Sequence, residues 1–369
     1  MQNDIFSPGL DGIMVGETAI SDVDGEQGQL IYRGESVESL ATQPFLEVCW
    51  LVLFGTSASK TEIHSFEAYL AAHNCLSANE IALLQTLPRN LHPMAMLQGV
   101  VPLLDLQSKQ FLDRDNEVSQ GLKIIAKLPA LVSAWQRIRN GQSIIDAGEE
   151  TNLHRRFLLQ LNGLQPSDKE VSTLDAAQIL QLEHSFNCGT FAGRVCASTE
   201  ANMQAVVSAS IGTLSGRLHG GADQAALEMA AEIGSPDAAA AYVASSLANK
   251  QKIMGMGHRE YKTVDPRAHV LKPMAAELCT QGDAKQLFET LVAVEHACQE
   301  EFGKKGKQIW ANVEFYKGAV FHALGVPSDC FTALFAMART VGYVAHYLEF
   351  REGRRLIRPK AKYIGKNLS

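Results

Sequence analysis

Three histidines stand in turn-forming or glycine-rich stretches between Glu183 and Arg267, where chemistry explains them better than core packing does. His184 lies in EHSFNCGTFAG, His219 in GRLHGGADQA and His258 in KIMGMGHREYKTVDPRA. Loops carry function more often than they carry stability. We therefore interpret the three histidines as candidate site residues, and capping or packing is the alternative for each of them.

The surroundings of two of these histidines predict different tasks. His219 precedes two glycines at the predicted start of a helix, where the positive dipole end disfavours a charged imidazole. A neutral histidine can donate a hydrogen bond to a carbonyl oxygen on which negative charge is building. His258 is followed by Arg259, Lys262 and Arg267, so its surroundings are cationic and suit an anionic substrate.

Two arginines occupy positions that a structural role explains poorly. Arg267 follows a proline in DPRA, in the first turn of a predicted helix, where the dipole opposes its charge. Arg339 interrupts the apolar helical pattern FAMARTVGYVAH, and a buried charge needs a partner. A guanidinium can bind a carboxylate through two parallel hydrogen bonds. We predict that Arg267 binds a carboxylate, with an ordinary first-turn arginine as the alternative. We predict that Arg339 has a buried partner, and a purely structural partner is the alternative to a ligand.

Glu314 is the candidate general base. It lies in WANVEFYKG among apolar neighbours such as Trp310 and Phe315, and an apolar pocket makes a carboxyl group a better general base. The alternative is a solvated glutamate. The preceding basic stretch GKKGK at 303–307, together with Lys262, is explained either by a solvated face or by a phosphate-rich ligand.

The elements that must position these residues are predicted to be almost entirely helical. Only residues 18–34 have the alternation and the DG and QG turns of a β-hairpin. Apolar residues recur at spacings of three and four in most of the remaining chain, including 45–55, 60–73, 78–87, 92–106 and 119–138. Small residues line 174–211, which indicates close helix packing inside a bundle or at a subunit contact.

The 369 residues predict roughly two domains. The helical patterns after His219 are shorter and more polar, and the strongly apolar pattern at 328–353 is expected to return to the first domain. We therefore predict a large helical domain formed by 1–220 and 326–369, and a small helical domain formed by 221–325.

Composition excludes several classes of function. Hydrophobic residues make up 46% and charged residues 20%, values typical of a soluble globular protein, and no run is long enough to span a membrane. The net charge of −7 without a basic face argues against binding to nucleic acid or anionic membranes. The first residues have neither a secretory nor a transit pattern, so a cytoplasmic location is expected.

Seven scattered cysteines without a CxxC pair predict reduced thiols and neither a disulfide framework nor a zinc site, and we predict no metal centre. Cys188 and Cys196 are interpreted as buried small hydrophobic residues. The alternative is a nucleophilic role, because Cys188 follows His184 by only four residues.

Taken together, these stretches resemble the citrate synthase family. The motifs YRG at 32–34, LHGGA, GMGHR with DPRA, NVEFY and RLIRPKA stand in the family's order, and the similarity runs from GLDG near residue 9 to YIG at 363–365. Several independent motifs in one order are far more specific than any one of them.

The resemblance implies a mainly α, citrate synthase-like homodimer whose large and small domains close over a cleft. It implies an acyltransferase that condenses acetyl-CoA with oxaloacetate and hydrolyses the thioester to citrate and free CoA. The coenzyme A thioester is then a co-substrate, and no cofactor is permanently bound. By position, the resemblance implies that His184, His258, Arg267 and Arg339 bind oxaloacetate, and that the partner subunit supplies Arg358 to this site. It implies that His219 and Glu314 enolise acetyl-CoA, and that Lys262, Lys305 and Lys307 hold the CoA phosphates. His219, His258 and Glu314 are the catalytic candidates.

Two departures from the family bear on activity. The family usually has aspartate in place of Glu314 and commonly has asparagine in place of Asp223. One added methylene moves a carboxylate by roughly 1.5 Å, but we still expect an active enzyme. The alternatives are a 2-methylcitrate synthase that uses propionyl-CoA, and a non-catalytic relative that binds CoA or a dicarboxylate.

Overall fold

A small antiparallel sheet lies near the N-terminal end of the computed structural model, which describes residues 6–107, 110–353 and 355–366. Its strands are β1 (Ser21–Asp24), β2 (Gln29–Tyr32) and β3 (Glu35–Ser36). β1 pairs with β2 so that Ser21 lies opposite Tyr32, and β2 pairs with β3. The predicted hairpin within 18–34 is confirmed, and β3 was not predicted.

The rest of the described chain is mainly helical, as predicted. The helices are α1 (Val37–Leu40), α2 (Phe45–Phe54), α3 (Lys60–His73), α4 (Ala78–Thr86), α5 (Pro93–Val100), α6 (Asn116–Arg139), α7 (Leu153–Asn162), α8 (Asp168–Ile179), α9 (Cys188–Ala197), α10 (Met203–Leu214), α11 (Ala222–Ile233), α12 (Ala239–Ala248), α13 (Pro266–Leu278), α14 (Gly282–Gly303), α15 (Val313–Ala323) and α16 (Phe331–Gly353). Short 3₁₀ turns lie at Pro8–Leu10, Val101–Leu103, Pro236–Ala238 and Ser328–Cys330.

Local sequence explains several helix starts. α3, α4 and α8 each begin after a serine whose hydroxyl accepts a backbone N–H, while a glutamate three residues later accepts the serine's own N–H. This capping box satisfies two donors that a helix start otherwise leaves free.

The expectation that the first residues of the chain are neither a secretory nor a transit signal concerns in part residues 1–5, which lie outside the described ranges.

α16 is the central helix of the core, and every residue from Phe331 to Tyr347 is buried. It packs against α2, α6, α8, α9 and α10. A Cβ on Gly342 would lie 2.2 Å from Oε2 of Glu183, so only glycine allows this approach. α16 therefore lies directly against the segment that carries His184.

Helices α9 and α10 also pack closely against each other, in the region where small residues predicted close helix packing. A Cβ added to Gly193 would lie 2.4 Å from the hydroxyl of Ser210.

Helices α11 to α15 pack largely on one another, with α15 against α11, α13 and α14, and α12 against α14. Within the described ranges, no helix has the length and apolar character needed to cross a membrane.

All seven cysteines lie in the described ranges and are free thiols. The interpretation of Cys188 and Cys196 as buried residues is wrong. Cys188 is the first residue of α9 and is exposed, and Cys196 near the end of the same helix is half-buried. Their small, apolar sequence surroundings do not reveal that one face of α9 is only partly covered.

Candidate active site

The loop between α8 and α9 holds His184 in a fixed backbone position. The fully buried Glu183 accepts hydrogen bonds from Ser21 Oγ (3.2 Å) and from the backbone N–H of His184 (2.9 Å), and its Oε1 lies 3.1 Å from Nε2 of His346. Nε2 of His184 lies 3.0 Å from the hydroxyl of Tyr261. The β-hairpin, α16 and the loop before α13 therefore all hold this histidine.

The loop of His258 is attached to the segment that leads into α15. Gly255 and Gly257 have positive φ angles of 77° and 84°, which glycine adopts without strain. The N–H of Asn312 donates to Gly255 O (3.0 Å), and its side-chain amide donates to Gly257 O (2.8 Å). These bonds bring His258 close to Glu314, which lies in the first turn of α15.

Asp265 joins the starts of α13 and α15. Its Oδ1 accepts hydrogen bonds from the backbone N–H and Nε of Arg267 (both 3.0 Å), and its Oδ2 accepts from Nη2 of Arg267 (2.9 Å) and from Val313 N (3.0 Å). Burial would raise the pKa of Asp265, but the charge of Arg267 outweighs it and holds that pKa low. Sequence reasoning missed Asp265, although an aspartate before Pro-Arg is a recognisable helix cap.

Arg267 and the two histidines converge. Nη2 of Arg267 lies 3.4 Å from Nε2 of His258, and the rings of His184 and His258 have centroids 5.6 Å apart. Tyr261 lies beside both rings, with centroid distances of 4.7 Å to His258 and 5.6 Å to His184. Nη1 of Arg267 makes no hydrogen bond with the described residues. One edge of this guanidinium is therefore open to a ligand.

Arg339 reaches the same cluster from the middle of α16, where it is 1% exposed. Its Nε donates to the carbonyl of Gln181 (2.6 Å), and its guanidinium carbon lies 4.7 Å from the ring centroid of Phe335. The expected partner of this buried charge is thus a backbone carbonyl. No described residue hydrogen-bonds its two Nη atoms, which leaves them open to a carboxylate.

The electrostatic environment keeps the three histidines neutral near pH 7. Burial, and next the charge of Arg339, lowers the pKa of His219 to about 4, although Glu314 opposes the shift. Burial, and next Arg267, lowers the pKa of His258 to about 4. Burial, Arg267 and Arg339 also hold the pKa of His184 well below its usual value.

The predicted neutrality of His219 therefore has a different cause from the one expected. α11 starts at Ala222, after Gly221 at φ 86°, so His219 lies before the helix and not in its first turn. Burial and Arg339 account for the lowered pKa, and the helix dipole is not needed. The sequence alone did not show that the charge of Arg339 on α16 acts on His219.

Glu314 belongs to the cluster, because its charge acts on His219, His258 and Arg267. The expectation of an apolar pocket around its carboxylate is wrong. Its Oε2 lies against the ammonium of Lys317, whose side chain is fully buried. Sequence reasoning missed Lys317, although a lysine three residues after the candidate base in an apolar helix was a usable signal.

The other predicted residues make no bond with this cluster, although the charge of Lys262 contributes to the lowered pKa of His258. Lys262 is exposed and its Nζ donates to Arg259 O (2.9 Å), and Lys305 and Lys307 are exposed in the loop after α14. Arg358 is exposed in the extended C-terminal tail and donates to Pro359 O (2.6 Å). In the described part of the chain, no hydrogen bond or ion pair joins these four cations to the cluster. Nor do the described residues include three or more His, Cys, Asp or Glu side chains placed to hold a metal ion.

The lowered pKa values predict that the protein loses stability in acid. An unfolded histidine takes up a proton near pH 6.5, whereas His219 and His258 in the folded chain do so only at about pH 4. Between these values the unfolded state binds more protons, so the free energy of unfolding decreases as pH falls, by on the order of 3 kcal/mol per histidine. Urea unfolding at pH 7 and pH 4.5 measures the loss.

The substitution His219→Gln should reduce this difference between the two pH values. His269→Gln is the control, because His269 is exposed on α13 and should leave the difference unchanged. A pH dependence in His219→Gln as steep as that of the wild type would contradict the assignment of a depressed pKa to His219.

A family model described as citrate synthase, C-terminal domain, matches residues 9–360. A citrate synthase of Acidithiobacillus ferridurans is 37% identical over 98% of this chain and 95% of its own, and a 2-methylcitrate synthase of Shewanella oneidensis is 32% identical over 97% and 94%.

Solved structures give the same result. A crystal structure of citrate synthase from Pyrobaculum aerophilum superposes with a TM-score of 0.91 at 31% identity, covering 98% of this chain and 93% of that one. A ternary complex of carboxymethyl coenzyme A and oxaloacetate with citrate synthase from Thermoplasma acidophilum superposes with a TM-score of 0.89 at 28% identity, covering 99% and 97%. The similarity in sequence and in fold therefore extends over nearly the whole chain.

Proposed function

The chain belongs to the citrate synthase family, and we propose that it condenses acetyl-CoA with oxaloacetate and water to give citrate and free coenzyme A. The family makes it an enzyme, an acyltransferase that converts the acyl group into an alkyl group on transfer. The observation that carries the proposal is the convergence of a glutamate, neutral histidines and two arginines in one cluster.

Glu314 and His219 act on acetyl-CoA. Removal of a proton from the methyl group of a thioester is feasible when a base and a hydrogen-bond donor act on the same bound molecule. Glu314 takes the proton, and neutral His219 donates to the thioester oxygen as the enolate forms. The charge of Glu314 raises the pKa of His219 against the effect of burial, which supports the proposal that both residues act on one bound substrate.

His258 and the arginines act on oxaloacetate. His258 polarises the ketone that the enol attacks, and Arg267 and Arg339 neutralise the carboxylates. The open Nη1 edge of Arg267 and the open Nη atoms of Arg339 support this assignment, because a guanidinium binds a carboxylate through such an edge. His184 completes the site from the loop between α8 and α9.

The complete site requires a homodimer, because Arg358 of one subunit reaches the oxaloacetate site of the other. The exposed position of Arg358 in an extended tail is compatible with this role. Apolar residues of the same tail, Leu356 and Ile364, are 58% and 90% exposed in the single chain, and a partner subunit would cover them. Partly covered small residues on α9 and α10 support a subunit contact there.

Residues 221–325 form a small domain that closes on the large domain of 1–220 and 326–369. The mutual packing of α11 to α15 supports this division. Lys262, Lys305 and Lys307 belong to this small domain and hold the phosphates of coenzyme A, which is a co-substrate and not a permanently bound cofactor. Closure excludes water until the carbon–carbon bond has formed. We place the enzyme in the cytoplasm, with no nucleic acid or membrane partner.

Release of free CoA thiol from acetyl-CoA tests the proposed function. We expect thiol release that depends on oxaloacetate, followed with a thiol reagent. Absence of oxaloacetate-dependent release would contradict the proposal and leave only a role in binding CoA or a dicarboxylate.

The alternative substrate is propionyl-CoA. Two of the curated relatives carry 2-methylcitrate synthase in their names, each at 32% identity, whereas the relatives at 37% identity are named citrate synthase. Acetyl-CoA is therefore the favoured substrate. One extra methyl group in a pocket changes specificity by about 1–3 kcal/mol. A kcat/KM that is higher for propionyl-CoA than for acetyl-CoA in the same assay would make 2-methylcitrate synthase the favoured function.

A further inference from the structure

Lys317 carries a charge at a fully buried position one turn after Glu314 on α15. Its side chain is 0% exposed, and its Nζ contacts Oε2 of Glu314, Oε1 of Gln181 (2.9 Å) and Oδ2 of Asp223 (3.3 Å). A buried ammonium is stable only when it is paired and hydrogen-bonded. These three oxygens come from α15, from the turn after α8 and from α11, so Lys317 joins three parts of the site.

Gln181 accepts a hydrogen bond from the ammonium, and Oδ2 of Asp223, which makes no hydrogen bond with the described residues, pairs with the ammonium by charge at 3.3 Å. Asp223 is 1% exposed in the first turn of α11, and its Oδ1 accepts the N–H of Gln224 (2.9 Å). The side chain of Gln181 is fixed because its Nε2 donates to Ala177 O (2.7 Å). The position of Nζ is therefore set by the surrounding fold, and the carboxylate of Glu314 must come to it.

Gln181 also connects Lys317 with the arginine of α16. Its side-chain oxygen accepts from Lys317, and its backbone oxygen accepts from Nε of Arg339 (2.6 Å). The ring centroid of Phe335 lies 4.4 Å from the ammonium and closes its remaining side. The candidate base and a candidate substrate-binding arginine thus share one rigid support.

Only one oxygen of Glu314 is engaged in this way. Its Oε2 lies against Lys317, whereas Oε1 makes no hydrogen bond with the described residues. A glutamate side chain has three torsions, and an untethered carboxylate would spread over several positions. A misplacement of about 1 Å at a reacting group can lower a rate by around a hundredfold.

We propose that Lys317 is a positioning residue for the general base. Held by Asp223 and Gln181, it binds Oε2 of Glu314 and draws the carboxylate back along α15, so that Oε1 is presented to the acyl thioester. The inference rests on the proposed function, since it assigns a support to the base of that reaction. It also gives a role to Asp223, whose charge balances that of the lysine.

A comparison of four proteins tests the role: the wild type, Lys317→Met, Glu314→Asp and the double variant. Lys317→Met should lower kcat about 100-fold, with the KM for acetyl-CoA within about twofold. Glu314→Asp should lower kcat at least about tenfold when Lys317 is present, because the shorter side chain cannot both contact the ammonium and reach the substrate. In the Lys317→Met background the same substitution should change kcat by less than about threefold, because the tether is already lost.

Lys272→Met is the matched control. Lys272 also pairs with a glutamate, Glu295 (2.5 Å), and lies 5.3 Å from the ring centroid of Tyr316 on α15, but within the described ranges no hydrogen bond or ion pair joins it to the cluster. Its kcat should stay within about twofold of the wild type. Loss of activity in both lysine variants would indicate a general effect on packing and would overturn the positioning role.

Removal of Lys317 alone leaves two carboxylates without their partner, so folding is checked by thermal unfolding. If Lys317→Met does not fold, Lys317→Met with Asp223→Asn removes one positive and one negative charge together and serves as the background for the same comparison. If the effects of Lys317→Met and Glu314→Asp on kcat multiply independently in the double variant, the inference is overturned while the proposed function stands. A wild-type protein that releases no oxaloacetate-dependent thiol would overturn both.

Discussion

Glu314→Gln is expected to lower kcat by about 10³-fold or more, to a level at which turnover is effectively abolished, while oxaloacetate still binds. Glutamine has the same shape but cannot accept a proton, and general base catalysis contributes about 10²–10⁴-fold to a rate. The residues assigned to oxaloacetate, including Arg267 and Arg339, are unchanged. Thiol release measures kcat, and calorimetry measures oxaloacetate affinity, which should change less than about threefold.

Glu301→Gln is the control for this substitution. Glu301 lies near the end of α14 and pairs with the exposed Lys304 (2.6 Å), outside the cluster. It should turn over at the wild-type rate. An unchanged rate in Glu314→Gln would exclude Glu314 as the base, whereas loss of oxaloacetate binding would show that the glutamate serves the ligand site instead.

Mixing two inactive variants is expected to restore activity. Glu314→Gln lacks the base, and Arg358→Ala lacks the arginine that each subunit supplies to its partner's site. A mixed dimer contains one site in which both residues are intact. Random reassociation makes about half of the dimers mixed, so about a quarter of the wild-type activity should return. Thiol release after joint unfolding and refolding measures the recovery.

The controls are each variant unfolded and refolded alone, which should remain inactive. Refolding Glu314→Gln together with His219→Gln is a further control, because both changes remove the enolising pair of one subunit and a mixed dimer regains no intact site. Mixed Glu314→Gln and Arg358→Ala dimers as inactive as either parent would contradict a shared site. Full activity of Arg358→Ala by itself would remove Arg358 from the oxaloacetate site.

The helices were predictable because their signals are local. Apolar residues at spacings of three and four fixed α2, α3, α4 and α6 within a few residues of their observed bounds, and the DG and QG turns marked the hairpin. Strand β3 was missed because Glu35–Ser36 has only two residues and pairs with β2 without any alternating pattern of its own.

The cluster was predictable to the extent that its residues stand in unusual local settings. Histidines beside glycines and Arg339 in an apolar helix could be recognised without knowledge of what they contact. Asp265 and Lys317 were missed because their importance comes from partners on other elements, Val313 on α15 and Asp223 on α11. The surroundings of Glu314 were wrong for a different reason, because Lys317 lies three residues later on the same helix and was a local signal that was not used.

The central claim is that Glu314 and neutral His219 together remove a proton from the methyl group of an acyl thioester. Release of tritium to water from acetyl-CoA labelled in its methyl group, with oxaloacetate present, measures that step directly. We predict that Glu314→Gln and His219→Gln each lower the rate of tritium release by about 100-fold or more, while Glu301→Gln leaves it unchanged. Release at the wild-type rate from either of the first two variants would contradict the claim.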